Sequence, residues 1–319
     1  MLISLLLVTV FSLACAFANS IDQLIAARVL LGIVAAAEAV LGLAILKDLY
    51  SEKEQIKALA LLGMVIAITP AAAPILGGFL HVHFGWQSNF YVIAGMALFA
   101  FCVIWRFLPE SAVPDVNALK FTRVYHGYRR LMLNRDFLIH TGILGVAMGL
   151  IFVFVTAAPF VLIDILGVAV DRFGYYQACI VLAFFLGSVF ASKLADYWDP
   201  LYLFGCGVAL VLLGAIALTV VILVDGLSPT RLILCYMIIT FGMGPLFAVA
   251  PSRALRSIKG QAGTASALLS GIEQTTAGLA ALAVSVLHDG TARPMAWVTI
   301  VLAFILLLMM RQARLIDQS

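Results

Sequence analysis

Charge is scarce in this chain of 319 residues: Asp, Glu, Lys and Arg make up 11% of it, against about 25% in soluble domains. With 64% of its residues hydrophobic, a soluble fold of this length could not hide the apolar surface. Other absences narrow the function. No G-x-x-x-x-G-K-[ST] run occurs, so an energy-driven step would draw on an ion gradient or on a partner. No C-x-x-C pair occurs either. The five cysteines (Cys15, Cys102, Cys179, Cys206, Cys235) lie scattered in apolar segments and read as small packing residues. Residues 1–18 are apolar, but no basic residue precedes them and no small-residue cleavage site follows, so they do not read as a secretory signal. His81 and His83 form an H-x-H pair with no third ligand at a fitting spacing, and no metal is expected there. His140, at a helix start, is expected at the membrane interface. No cofactor and no nucleic-acid partner is expected, and no oligomeric state is assigned.

What is present is a series of apolar runs. A bilayer core takes about 20 apolar residues per helix. That length predicts an all-α polytopic membrane protein with ten spans: 1–18, 24–46, 58–80, 90–108, 137–159, 173–195, 201–224, 231–251, 263–287 and 294–311. The loops between them are short except for residues 109–136, which hold Lys120, Arg123, Arg129, Arg130 and Arg135. The expected organisation is therefore a four-span bundle (1–108), a linker (109–136) and a six-span bundle (137–319). Orientation follows from Lys and Arg. With both termini on one side, only Arg172, Arg231 and Arg293 of the 19 Lys and Arg fall on the other, and Arg28 lies within a span. Both termini and the linker are expected in the cytoplasm.

The stretch from Leu24 to Gly78 carries the strongest functional signal. Its first span holds Arg28 and Glu38, and a charge inside hydrocarbon costs about 2.5–3.5 kcal/mol on insertion scales. Glu38 lies ten residues beyond Arg28, about 15 Å along a helix axis. Its second span has no charge but holds Pro70, Pro74, Gly77 and Gly78, spaced to share one helix face. Small residues on one face permit close backbone approach, and the prolines remove hydrogen bonds and bend the helix. Gly242, Gly244, Pro245 and Pro251 are expected to bend the eighth span in the same way. Glu273 lies near the middle of 263–287 beside Gln274, Thr275 and Thr276, a polar cluster at membrane depth that points to a solvated cavity. Each of these residues also has a structural reading. Arg28 can snorkel to the interface, Glu38 can be a neutral hydrogen-bonded acid, and the proline and glycine face can be a tight helix contact. Phe152, Phe154, Phe160, Phe184 and Phe185 are expected mostly to face lipid or pack, with a few of them able to line an apolar binding cavity, and Asp164 and Asp171 are expected to be solvated.

Several motifs resemble one family. Leu24 to Gly32, with Arg28 four residues before Gly32, resembles the fourth-helix motif of the major facilitator superfamily. Thr69 to Gly78 resembles the fifth-helix antiporter motif of its drug/proton branch. Lys47-Asp48-Leu49-Tyr50, Gly85-Trp86 before Phe90, Leu108-Pro109-Glu110-Ser111 and Gly263-Thr264-Ala265-Ser266-Ala267-Leu268 are similar to the bicyclomycin/chloramphenicol resistance (Bcr/CflA) subfamily. The resemblance implies a twelve-helix transporter of which the first two helices are not in this sequence. The family's gate loop between helices two and three would then be absent, and Gly187 to Asp196 resembles its pseudo-repeat copy, which makes Gly187 and Asp196 cytoplasmic gate candidates. Gln87 stands where an Arg is usual after Gly-Trp, and Glu38 where the subfamily tends to have a small residue.

The function the resemblance implies is secondary-active efflux of small amphipathic drugs, coupled to protons, in a bacterial inner membrane. The partners are the small-molecule substrate, protons and membrane lipid. Glu273, Glu38 and Arg28 are the proton-coupling candidates, and Pro70, Pro74, Gly77 and Gly78 form the gate helix. The alternative is a transport-incompetent remnant of such a transporter. The third reading, an intramembrane enzyme, needs a polar catalytic set near one membrane face, which the lone, peripheral histidines do not supply.

Overall fold

The computed structural model describes residues 1–49, 69, 72–108, 128–195, 197–256 and 262–317. They are almost wholly helical. In chain order the helices are α1 (Leu2–Ala16), α2 (Ile21–Leu49), α3 (Ala72–Phe84), α4 (Gln87–Phe107), α5 (Arg135–Pro159), α6 (Val170–Leu194), α7 (Pro200–Leu223), α8 (Pro229–Arg256), α9 (Ala262–Val286) and α10 (Arg293–Asp317). α5 runs on through a π-helical turn, Phe160–Ile165, beyond the expected end of its span. Nine of the ten expected spans fall on described helices; of the tenth, 58–80, most residues lie outside the described ones, and 72–80 fall on α3. Among the described residues seven helices, α4 to α10, are long and apolar enough to cross a bilayer. α1 is shorter than expected: its 15 residues rise about 22 Å, less than a bilayer core of about 30 Å.

Helix starts have local causes. Gln23 accepts from the Asn19 amide through Oε1, and its own amide donates to Ser20 Oγ, a reciprocal arrangement akin to a capping box. Asn134 caps α5 by accepting from the Phe137 amide at 3.0 Å. Asp199 caps α7 by accepting from the Leu201 amide, with Pro200 in the first turn, where its missing N–H costs nothing. Gly85 turns the chain between α3 and α4 at φ +81°, a conformation side chains disfavour, and its amide closes on the His81 carbonyl.

The chain divides into two compact units, Met1–Asp115 and Val116–Ser319. In the first, α1 packs against α2 and α4 around Cys15, Ala27 and Leu31, with Val8, Phe11, Leu24 and Phe90 at the margin. α3 meets α4 at Gly77, where Asn89 donates to the Gly77 carbonyl at 3.4 Å and a Cβ would touch Asn89 Oδ1.

In the second unit α8 is the central helix. Of its membrane-length stretch 67% is buried, against 11% for α4. Tyr236, Ile239, Met243 and Leu246 are fully enclosed. Two of its glycines face opposite neighbours. A Cβ on Gly244 would collide with the backbone of Gly187 and Ser188 on α6, and one on Gly242 would lie 2.7 Å from the Gly207 carbonyl on α7. The helix runs unbroken through Pro245 and Pro251 to Arg256, so these prolines do not end it as a helix. Hydroxyls tie α8 to two further elements. Tyr236 Oη and Thr299 Oγ1 of α10 lie 2.9 Å apart, and Thr240 Oγ1 donates to the Ile180 carbonyl of α6. Phe154 of α5 packs on the Tyr236 ring with centroids 4.6 Å apart. α9 lies against α5, where Thr276 fills the space at Gly145 and Ala280 the space at Gly149.

His140, near the start of α5, does not face solvent: it is 2% exposed, with Nδ1 3.0 Å from Asp136 Oδ1 one turn earlier and equally close to the Asp136 carbonyl. The helix start that holds it is roofed by a small cluster of Leu131, Phe137, Ala254 and Ala265. Packing is not the role of every cysteine. Cys15 and Cys235 are buried, but Cys102 and Cys179 are exposed on membrane-length helices; all five are free thiols.

Candidate functional site

The ionisable groups singled out at membrane depth do not form one cluster within either unit. In the first unit α2 starts at Ile21, so Arg28 stands about two turns into the helix. Its guanidinium lies over the Phe90 ring of α4, 5.5 Å from the centroid, a cation–π contact that holds the charge beside α4 while leaving it exposed. Glu38 is on the same helix ten residues on. It is half-buried, and its Oε1 is enclosed with no hydrogen-bond partner among the described residues. Arg28 and Glu38 are thus separate sites and do not pair.

In the second unit Glu273 sits at the middle of α9, half-buried, with no hydrogen bond or ion pair among the described residues. Its polar neighbours are occupied by their own helix: Thr275 donates to the Gly271 carbonyl at 2.7 Å and Thr276 to the Ile272 carbonyl at 2.8 Å. Gln274 and Thr275 are exposed, while Thr276 is turned toward α5. Glu273 is therefore an acid at membrane depth without a fixed partner, the state in which a carboxyl can bind and release a proton.

The gate-helix candidates lie partly outside the described residues. Pro70 is among the undescribed ones, Pro74 lies on α3, and Gly77 and Gly78 are half-buried, Gly77 against Asn89. Gly187 is a buried contact between α6 and α8, where the Phe241 backbone fills the place a side chain would take. Asp196 lies outside the described residues. His81 and His83 are exposed at the end of α3, His83 Nδ1 lying 2.9 Å from the Phe79 carbonyl. Among the described residues no group of three His, Cys, Asp or Glu could hold a metal ion. The Tyr236–Thr299 pair and the glycines of α7 went unread in the sequence. The spacing of Gly205, Gly207 and Gly214 is the signal that could have marked α7 as a close-packed helix.

The family model described as Major Facilitator Superfamily matches residues 1–281. The chain belongs to the major facilitator superfamily. Among superfamily relatives, it is 27% identical to the bicyclomycin resistance protein homolog of Haemophilus influenzae over 87% of this chain and 70% of that protein. It is 26% identical to a chloramphenicol resistance protein of Pseudomonas aeruginosa over 93% of this chain and 71% of that protein. The multidrug resistance protein MdtL of Klebsiella pneumoniae is 29% identical over 83% of this chain and 66% of its own length. The fold is shared with a solved structure, that of a bacterial homolog of the human lysosomal transporter Spinster in an inward-facing, occupied conformation. That match has a TM-score of 0.74 at 14% identity and covers all of this chain and 82% of the other.

Proposed function

We propose that this superfamily member exports small amphipathic, drug-like compounds across a bacterial inner membrane in exchange for protons. The observation that carries the reading is the likeness to relatives named for bicyclomycin, chloramphenicol and multidrug resistance, two of which align with 87% and 93% of this chain. A transport-incompetent remnant is not favoured by likenesses of that extent. Coupling needs a membrane-embedded group that changes charge. Glu273, half-buried at mid-helix and unpaired among the described residues, fits that need better than Glu38, whose enclosed Oε1 leaves one oxygen with no access to a partner. Arg28, fixed over Phe90, is a charge anchor for α2 against α4.

The test is chloramphenicol efflux from proteoliposomes under an imposed pH gradient, with Glu273→Gln beside the wild type. Loss of the pH-gradient dependence with chloramphenicol binding retained supports the assignment. Unchanged proton-driven efflux in the variant ends it. The orientation proposed with this function puts both termini and residues 109–136 in the cytoplasm. Reporter fusions at Gln55, Lys120 and Asp225 check it, and an outward report from Lys120 would reverse the scheme.

A further inference from the structure

The second unit holds a cavity at the end of its bundle away from the C-terminus. Three helix ends build it. α5 passes there from an α-helix into the π-helical turn Phe160–Ile165 directly after Pro159. A proline supplies no N–H, and a π turn widens the helix by lengthening its hydrogen-bonded ring; such turns recur at functional sites. α9 ends at Val286 and α10 begins at Arg293. The segment between them is fixed by its own bonds. The Thr291 amide and hydroxyl both donate to Asp289 Oδ1, and Thr291 Oγ1 accepts from the Arg293 amide. The cavity between these ends has a volume of about 260 Å³.

Its lining is chemically specific. Phe160 and Met295 form apolar wall, and Thr156, Ser285, His288 and Thr291 form the polar part. The His288 ring meets the Phe160 ring edge-on, with centroids 4.2 Å apart at 88°. Ser285 Oγ donates to the Ala281 carbonyl, which leaves its lone pairs free to accept. The Thr291 hydroxyl is already used on both sides, so Thr156, Ser285 and His288 are the groups open to a ligand. Among the described residues no Asp, Glu, Lys or Arg lines the cavity. An ionic guest would therefore be desolvated without a counter-charge, which is costly, whereas a neutral one is not. The aromatic edge and the thioether favour a ring as the buried part.

We propose that this cavity is a small-molecule site separate from the membrane-depth acids, and that it takes a neutral amphipathic compound with one aromatic ring and hydroxyl or amide groups at the other end. The ring lies against Phe160 and Met295, and the polar end meets His288, Ser285 and Thr156. In the orientation proposed above the site opens on the outer side. It is complete within one unit, so its occupancy is an equilibrium property that does not require transport.

The full chain, purified in detergent and labelled with ¹³C-methyl methionine, gives a direct readout, because Met295 lines the cavity and the other nine of its ten methionines serve as internal controls. The probe is chloramphenicol, a neutral compound with one ring, two hydroxyls and an amide. The Met295 methyl signal, assigned with Met295→Leu, is expected to shift and to saturate. Ser285→Trp, which fills the cavity from an exposed position, should abolish the shift while the other methyl signals stay in place. His288→Ala should weaken binding at least fivefold, and His288→Phe, which keeps a ring against Phe160, should weaken it less. A Met295 signal that does not move, moves without saturating, or still responds in Ser285→Trp overturns the proposal, as does a signal that answers only to added acyl chains. The outcome is separable from that for transport. Efflux with an unmoved Met295 leaves the transport reading standing and removes the cavity site, and a saturable Met295 shift in a protein that exports nothing does the reverse.

Discussion

Glycines make close helix contacts in one unit more than in the other. In the first, Gly32 on α2 and Gly95 on α4 have no atom of the described residues within 4 Å of where a Cβ would be. In the second, Gly271 and Gly278 on α9 are open in the same way, but Gly187, Gly207, Gly242 and Gly244 are each met by the backbone of a neighbouring helix. The units differ in hydrogen bonding in the same sense. α8 bonds through hydroxyls to α6 and α10, whereas Ser12, fully buried in α1, has an Oγ with no partner among the described residues. The difference shows what joins helices in lipid. Apolar side chains are as content against acyl chains as against each other, so association depends on backbone approach and on hydrogen bonds between helices. The second unit has both, and the described part of the first has little of either.

The comparison can be broken most sharply at Gly244. Gly244→Leu puts a side chain into the α6 backbone, and overpacking of this kind costs about 3 kcal/mol or more. The expected result is a thermal midpoint lowered by about 10 °C, or no folded protein, as judged by circular dichroism and size exclusion in detergent. A variant as stable as the wild type would mean that the α6–α8 approach is not tight. Next in size is Tyr236→Phe, which removes one interhelical bond while Thr299 keeps its bond to the Met295 carbonyl. Its cost should be about 0.6–1.7 kcal/mol, and a cycle with Thr299→Val should show that the two are coupled.

Gly32→Ala sharpens the comparison from the other side. With no atom of the described residues within 4 Å of a Cβ there, the substitution should raise the stability of α2 by about 0.5–1 kcal/mol, through helix propensity alone. If it abolishes efflux without lowering the thermal midpoint, the surface around Gly32 is used in transport. The smallest effect concerns the turns. Before α2 the turn is held by neutral groups, Ser20 and Gln23, whereas before α10 it is held by a carboxylate. Bonds from the Thr291 hydroxyl and amide hold the Asp289 carboxyl below its usual range. A depressed folded pKa gives stability that is present above the unfolded value of about 3.9 and is lost as pH falls through the folded one. Asp289→Asn should therefore flatten the acid limb of thermal stability slightly between about pH 4 and pH 2, and replacing Gln23 should not change its slope.

Hydropathy made the helices legible because each must bury its backbone in about 20 apolar residues, and the ends of α4, α6, α7 and α9 fall within a few residues of the spans it predicts. The family was legible in short motifs such as Thr69 to Gly78. What hydropathy misses is direction around the helix axis. Gly244 and Gly95 look alike in an apolar run, yet one touches a backbone and the other touches nothing among the described residues. His140 stands near a helix start, and nothing in its sequence position signals that its side chain is almost wholly enclosed. The π turn at Phe160 was hidden for a related reason: Pro159 marks a possible break without saying whether the helix stops or widens.

The two glycines of α8 also have a mechanical consequence. With backbone against backbone on both flanks, α8 cannot slide past α6 or α7, since sliding would drive main-chain atoms through one another. Whatever motion the second unit undergoes, these three helices must travel as a single slab. Displacement has to be taken up elsewhere, and the α5–π-turn junction after Pro159, where the hydrogen-bond pattern already changes, is a natural place for a joint.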